Sequence, residues 1–323
     1  MPSILLKQWV LLTQVALSVL IILFLLWGSE HRALWDLLRN SVWNYVLLAL
    51  VVKSITLGIR EFRLWLALHA PRPSLLTTML IGFVSGALHT LLPGRAGDLA
   101  AIGMLTKKCK ITLSEATYAV GMAAFFEAAM FGILVCGSLG LNYTYWSSLI
   151  GEQRVLDTLS GVSLLTLGGI FIIILAAIIG RRFTTPEQPS NNGFSLKEFV
   201  ADTFSQTTKG VTSLSYLSIN IAVAALEVWL MVYAFSLGFP ALGIELTDPW
   251  GCGALILGFS AFAAIALPPT YGAGPAAASL FVLSLVGVSE EQALAYAAIW
   301  WMISQLPATA LGIPSLWLLR FTK

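Results

Sequence analysis

The chain has 323 residues, of which 58% are hydrophobic and 11% charged. A soluble globule of this size carries roughly 25% charged residues, so composition excludes a soluble enzyme, a disordered chain and a coiled coil, and leaves an all-α, polytopic helical membrane protein. A net charge of +2 gives nucleic acid no electrostatic footing.

A helix that crosses lipid needs about 20 predominantly apolar residues. Trp9 to Trp27 is the first candidate and reads as a retained anchor, because no small-residue cleavage site follows it. Val42 to Ile59 is the second, entered at Trp43 and left at Arg60. Leu75 to Leu92 is apolar and runs into Pro93-Gly94-Arg95-Ala96-Gly97-Asp98, after which Leu99 to Leu105 is too short to cross alone. Glu115 to Leu139, Val155 to Ile179, Leu214 to Leu237 and Gly251 to Leu267 follow. The last of these meets Pro268-Pro269 and a second short piece, about Ala276 to Val286. Glu291 to Leu319 closes the chain, interrupted by Pro307 and Pro314. Trp9, Trp27, Trp43, Trp146, Trp250 and Trp317 fall near these edges, where amphipathic rings favour the headgroup layer.

Basic residues select the topology, since cytoplasmic loops are enriched in Lys and Arg. If each short piece folds back on the run before it, the inner side holds Lys7, Arg60, Arg63, Arg72, Lys107, Lys108, Lys110, Arg181, Arg182, Lys197, Lys209, Arg320 and Lys323. The outer side holds Arg32, Arg39 and Arg154, so the division is 13 to 3. The expectation is six full spans plus two re-entrant helical hairpins, with both termini cytoplasmic. Residues 1–323 then form one integral membrane domain. It comprises an anchor span in 1–40, a first half over 41–179, a cytoplasmic linker over 180–212 and a second half over 213–323. In the linker, Ser195 and Glu198 have capping-box spacing, and Leu196, Phe199, Val200, Thr203 and Phe204 share a helical face. That pattern fits a short interfacial helix or a plain linker.

The two halves are similar at a constant offset. Pro93 precedes Ser114-Glu115 by the same interval that separates Pro268 from Ser289-Glu290, and at this offset Gly97 falls on Gly272. The two units run in opposite directions, as in an inverted-topology repeat, which places a substrate site near the midplane where broken helices meet.

Ionisable residues inside a membrane mark a pathway or a paired contact. Lys53, Glu127 and Glu227 lie within spans, and Arg95 and Asp98 flank the first break with His89 one to two turns before it. Lys53 is expected either on a pathway or paired with Glu227 or Glu127, and Arg95 either at a ligand or bridged to Asp98. Arg95 suits a lipid phosphate, because guanidinium offers two parallel hydrogen bonds and the helix starting near Gly97 offers free N–H groups. Gly94, Gly97, Gly272 and Gly274 allow close backbone approach, and Tyr271 is the main polar side chain of the second break. Cys109, Cys136 and Cys252 have no metal-ligand spacing and read as packing residues. Asn142-Tyr143-Thr144 has glycosylation spacing. Metalloprotease, serine-hydrolase and phosphate-loop motifs are absent, so neither catalysis nor a cofactor or metal is expected.

Arg60…Arg63-Leu64-Trp65, Leu92-Pro93-Gly94-Arg95-Ala96-Gly97-Asp98 and Ser114-Glu115-Ala116 resemble the flippase-like domain of the lysyl-phosphatidylglycerol synthase transmembrane-region family. That family shows P-x-R-x-G-E in its first half and P-x-x-x-G-G-x-G followed by Glu in its second. Pro268-Pro269-Thr270-Tyr271-Gly272-Ala273-Gly274-Pro275 is similar to the second motif, and the resemblance spans about residues 40 to 320. Arg95, Gly97 and Asp98 match the first motif, with Asp in place of Glu, and Gly272 and Gly274 match the second. An Arg usual after the acidic position is replaced by Ala100-Ala101, and the second Glu by Ala276–Ala278. The resemblance implies translocation of a polar or phosphate-bearing lipid across the cytoplasmic (inner) membrane, with Arg95, Gly97, Asp98, Tyr271, Gly272 and Gly274 at the head group. The partners to expect are a membrane lipid and, beyond it, a second copy of the chain or an enzyme of envelope-lipid synthesis. Rival readings are a proton-coupled transporter of a small solute using Glu127 and Glu227, and a non-transporting accessory subunit of envelope glycolipid synthesis.

Overall fold

The computed structural model of the chain describes residues 31–68, 72–91, 96–180, 196–266 and 273–322. The anchor Trp9–Trp27, the site residues Arg95, Tyr271 and Gly272, and the capping residue Ser195 lie outside these residues. The described residues form thirteen helices: α1 (His31–Arg39), α2 (Trp43–Ala67), α3 (Leu75–Leu91), α4 (Ala96–Cys109), α5 (Leu113–Leu141), α6 (Tyr143–Ile150), α7 (Glu152–Gly180), α8 (Leu196–Thr212), α9 (Leu214–Ser236), α10 (Gly238–Ala241), α11 (Pro249–Ala266), α12 (Ala273–Leu285) and α13 (Glu290–Leu318).

Helix starts follow the capping chemistry of the sequence. Thr112 accepts from Glu115 N at 3.2 Å, Ser213 from Tyr216 N at 3.4 Å and Ser289 from Gln292 N at 3.3 Å. Asp248 accepts from Gly251 N at 2.8 Å, with Pro249 in the first helical position, where its missing N–H costs nothing. Among the described residues, Leu113–Leu141, Glu152–Ile179, Leu214–Ala241 and Glu290–Leu318 are long and apolar enough to cross a membrane. Arg32–Arg39 and Trp43–Ala67 qualify as a pair bent by 75°. The chain is thus a multi-pass membrane protein built from helices.

Several expected boundaries move. Arg60 does not end the second span: α2 runs on to Ala67, with Glu61 and Arg63 buried inside it. Pro307 and Pro314 do not interrupt α13, which passes through both. Membrane helices tolerate proline where neighbouring helices support the backbone, and here both prolines lie in a helix packed on α3 and α2. The helix bounds also correct the register between the halves. Ala96 starts α4 as Ala273 starts α12, and Leu113 and Leu141 bound α5 as Glu290 and Leu318 bound α13, all at one common interval. That interval pairs Gly97 with Gly274, not with Gly272. The cap Ser289 therefore pairs with the cap Thr112 rather than with Ser114, and the buried Ser114 donates to Asp202, tying α5 to α8.

α8 is longer than the linker pattern implied, and its buried face is at its other end. Thr207 and Thr208 are buried, Thr208 donates to Ala177 O of α7 at 2.8 Å, and Gly210 packs on the Tyr118 hydroxyl of α5. Val200, placed on the apolar face by spacing, is exposed. Trp146 is no interfacial ring: it is fully buried and its indole N–H donates to Asp248 at 3.3 Å. Asn142 of the glycosylation triplet also donates to Asp248, at 2.7 Å. Trp43 and Trp317 are exposed, as an interfacial ring would be. The three cysteines are free, and Cys252 is buried.

α2 packs along α9, α13 lies across α3 and α2, α3 packs on α4, and α11 packs on α12. Where α13 crosses α3, Gly312 sits directly on Ala87 and on the Phe83 carbonyl. Any side chain there would meet backbone, so the close approach of the two helices requires glycine. Two apolar clusters share α2. Val46, Ala49 and Val52 join Phe235, Phe239, Ile256, Leu283 and Tyr296 in one. Leu64, Ala67 and Leu68 join Ile81, Leu105, Ala116 and Leu319 in the other. The charged residues of α2 lie between these clusters.

Candidate functional site

α2 carries Lys53, Arg60, Glu61 and Arg63 across the gap between the two apolar clusters. Lys53 and Arg60 are two helical turns apart and share a face, whereas Glu61 and Arg63 point to either side of it. Glu127 is the central residue of α5, and Glu227 lies near the middle of α9. Both carboxylates converge on Arg63. Its Nη2 is 3.1 Å from Glu227 Oε2 and 3.6 Å from Glu127 Oε2. Arg63 and Glu227 are essentially inaccessible, whereas the Glu127 side chain is 23% exposed. Burying charge is costly unless it is paired, and one guanidinium serving carboxylates from two other helices meets that requirement.

Of the two alternatives for Lys53, the ion pair with Glu227 or Glu127 is not formed among the described residues. The Lys53 Nζ lies 3.3 Å from Met231 Sδ and 5.8 Å from the centre of the Phe235 ring. The helix register is the cause: one turn beyond Glu227, α9 presents Met231, and a further turn on, Phe235. Phe235 is itself stacked on Trp300 at 4.7 Å. The ammonium is thus held by a polarisable sulfur and a ring face.

At the first break, His89 Nε2 lies 2.9 Å from Asp98 Oδ1, joining α3 to α4. Gly97 is buried where α4 meets the His89 ring and the Ser85 carbonyl, so its bareness serves helix packing there. Gly82 likewise leaves room for the Glu61 carboxyl. Arg60, Glu61, Ser85 and Asp98 provide the polar lining of a cavity closed by Leu64, Ala101, Val120, Ala123 and Ala124. Its volume of ≈20 Å³ admits about one water. At the second break, Gly274 is buried. Among the described residues no group of His, Cys, Asp and Glu is arranged to hold a metal ion.

Of the residues singled out from sequence, the structure therefore gathers Glu127 and Glu227 through Arg63, and His89 with Asp98. Lys53 lies further along the same helix. Arg60, Glu61 and Arg63 were missed as interior residues because the fall in hydropathy at Arg60 read as the end of a span. The seven-residue spacing of Lys53 and Arg60, which puts both on one helix face, was the available signal.

The sequence model of the family described as lysylphosphatidylglycerol synthase TM region matches residues 11–312 of the chain. No curated protein and no solved structure matches it.

Proposed function

The chain belongs to the lysylphosphatidylglycerol synthase TM region family, and from that premise we propose that it is a translocator of a polar or phosphate-bearing lipid across the cytoplasmic membrane. The observation that carries the reading is the convergence of ionisable residues from α2, α3, α4, α5 and α9 between two apolar clusters. A membrane interior holds such groups where something polar must pass or where they pair. The lipid tails stay in the bilayer while the head group follows this seam, beginning at Arg95 and Asp98. Nothing in this route calls for catalysis or a cofactor.

The topology that serves this function is six spans and two re-entrant hairpins in an inverted repeat, with both termini cytoplasmic. Close packing of α3 on α4 and of α11 on α12, each pair joined across a short break, supports the hairpins. Moving Arg60 and Arg63 into α2 leaves eleven basic residues on the inner side against three outside, so the asymmetry survives the correction.

The test is movement of a fluorescent phosphatidylglycerol analogue in proteoliposomes containing wild-type protein or the Arg95→Ala variant. Movement by the wild type that is lost in a folded Arg95→Ala supports the reading, and unchanged movement in the variant removes Arg95 from the route. A second reading draws on Glu127 and Glu227 sharing one guanidinium: an excess of carboxylate suits a coupling proton, and hence a proton-driven solute transporter. Solute uptake that collapses with the proton gradient, without lipid movement, would select it.

A further inference from the structure

Arg63 is neutralised but not hydrogen-bonded. It is fully buried, and none of its three guanidinium nitrogens has an aligned hydrogen-bond acceptor among the described residues. Glu227 and Glu127 approach only Nη2, and Glu227 Oε2 is likewise left without a hydrogen bond. A guanidinium carries five N–H donors in a rigid planar fork. In water all five are served, and in an interior an unmet donor loses its hydration with no return. A buried polar group in this condition requires an explanation. Close carboxylates that are out of alignment supply charge balance while leaving the donors of the fork unserved.

Lys53 repeats the pattern further along the same helix. Ten residues separate it from Arg63, about 15 Å of helix. Its three ammonium donors meet a thioether and a ring face, with no ion-pair partner among the described residues. Arg60 lies between the two. α2 therefore presents a line of cations whose donors at both ends are underused.

We propose that Arg63 is a phosphate-binding site, with Lys53 a second station for the same group further along α2. Glu127 and Glu227 are resident counter-ions that the phosphate displaces from the guanidinium, and Arg60 and Lys53 balance the added charge. The proposal deepens the translocator reading and rests on it for the source of the phosphate: a phosphodiester head group, as against free inorganic phosphate. A singly charged diester offers two non-bridging oxygens, which suits two parallel bonds from one guanidinium edge.

The experiment uses the full chain purified in detergent, titrated with dihexanoyl-phosphatidylglycerol and separately with inorganic phosphate, with tryptophan fluorescence as the signal. Arg63→Lys keeps the charge and the ion pairs but removes the fork. It should bind the lipid about tenfold more weakly, the factor expected for one charge-assisted hydrogen bond, with an unchanged melting temperature. Glu227→Gln removes a competitor and should bind more tightly even where it melts lower. A purely structural ion pair gives the opposite pattern: Arg63→Lys binding like wild type, or Glu227→Gln binding more weakly, overturns the site. Inorganic phosphate binding that falls in Arg63→Lys, with no binding of the lipid to the wild type, supports the site and assigns it to free phosphate. Wild-type lipid movement in proteoliposomes, together with unaltered Arg63→Lys binding, overturns the Arg63 site and leaves the translocator standing. Arg63-dependent phosphate binding without any lipid movement supports the site and removes the translocator.

Discussion

Asp248 accepts three hydrogen bonds from three parts of the chain: Asn142 Nδ2 at 2.7 Å, Trp146 Nε1 at 3.3 Å and Gly251 N at 2.8 Å. It caps α11 and fastens the turn between α5 and α6 to it. Asp248→Ala removes the cap and strands the buried Trp146 indole N–H, a loss of about 2 kcal/mol or more. Thermal unfolding in detergent should show a clearly lowered midpoint, with Asp248→Asn milder because Asn is also a good cap. An Ala variant that melts like wild type would contradict this role. Neither Asn142 nor Trp146 could be assigned to Asp248 from sequence, because more than a hundred residues separate them. Lys53 and Arg63 teach the same lesson. That buried charges would gather was legible in the sequence, but which cation meets Glu227 depends on the register of α2 against α9. Local spacing carries no record of that register.

The centres of the long helices were legible, because an apolar run of spanning length has no other stable use. Their ends were less so. α2 continues past Arg60 because Arg60, Glu61 and Arg63 face other helices rather than a loop, and a hydropathy window cannot distinguish the two. α13 continues through Pro307 and Pro314, where its packing on α3 and α2 supports it. The buried end of α8 was misplaced since Thr207, Thr208 and Gly210 read as polar or flexible, although small residues are what close packing on α7 and α5 requires. Element placement also yields a test of topology. In a cysteine-free background, Lys107→Cys in the last turn of α4 and Glu290→Cys at the start of α13 sit at exposed positions. An impermeant thiol reagent should reach Lys107→Cys from the cytoplasmic side alone and Glu290→Cys from the outer side alone. Labelling of both from one side would contradict the pair of hairpins.

Across the whole molecule, the two apolar clusters and the charged seam between them divide the work. The clusters hold α2, α9, α11, α12 and α13 at one end and α2, α3, α4 and α5 at the other. The seam leaves a narrow polar interior between them, with room for about one water at Arg60, Glu61 and Asp98. A cavity that small holds no head group, so on the translocator reading proposed above the helices separate along the seam, and the Arg63 contacts to Glu127 and Glu227 are released as they part. On the same reading, the common interval that relates α4 to α12 and α5 to α13 marks two similar units that rock against each other. Movement of lipid between leaflets is the most direct test of this mechanism. Vesicles reconstituted with the protein and a fluorescent phosphatidylglycerol analogue are exposed to an impermeant reductant. Fluorescence should fall beyond the outer-leaflet share, and further as more protein is incorporated. A loss confined to the outer-leaflet share, identical to that of protein-free vesicles, would contradict it.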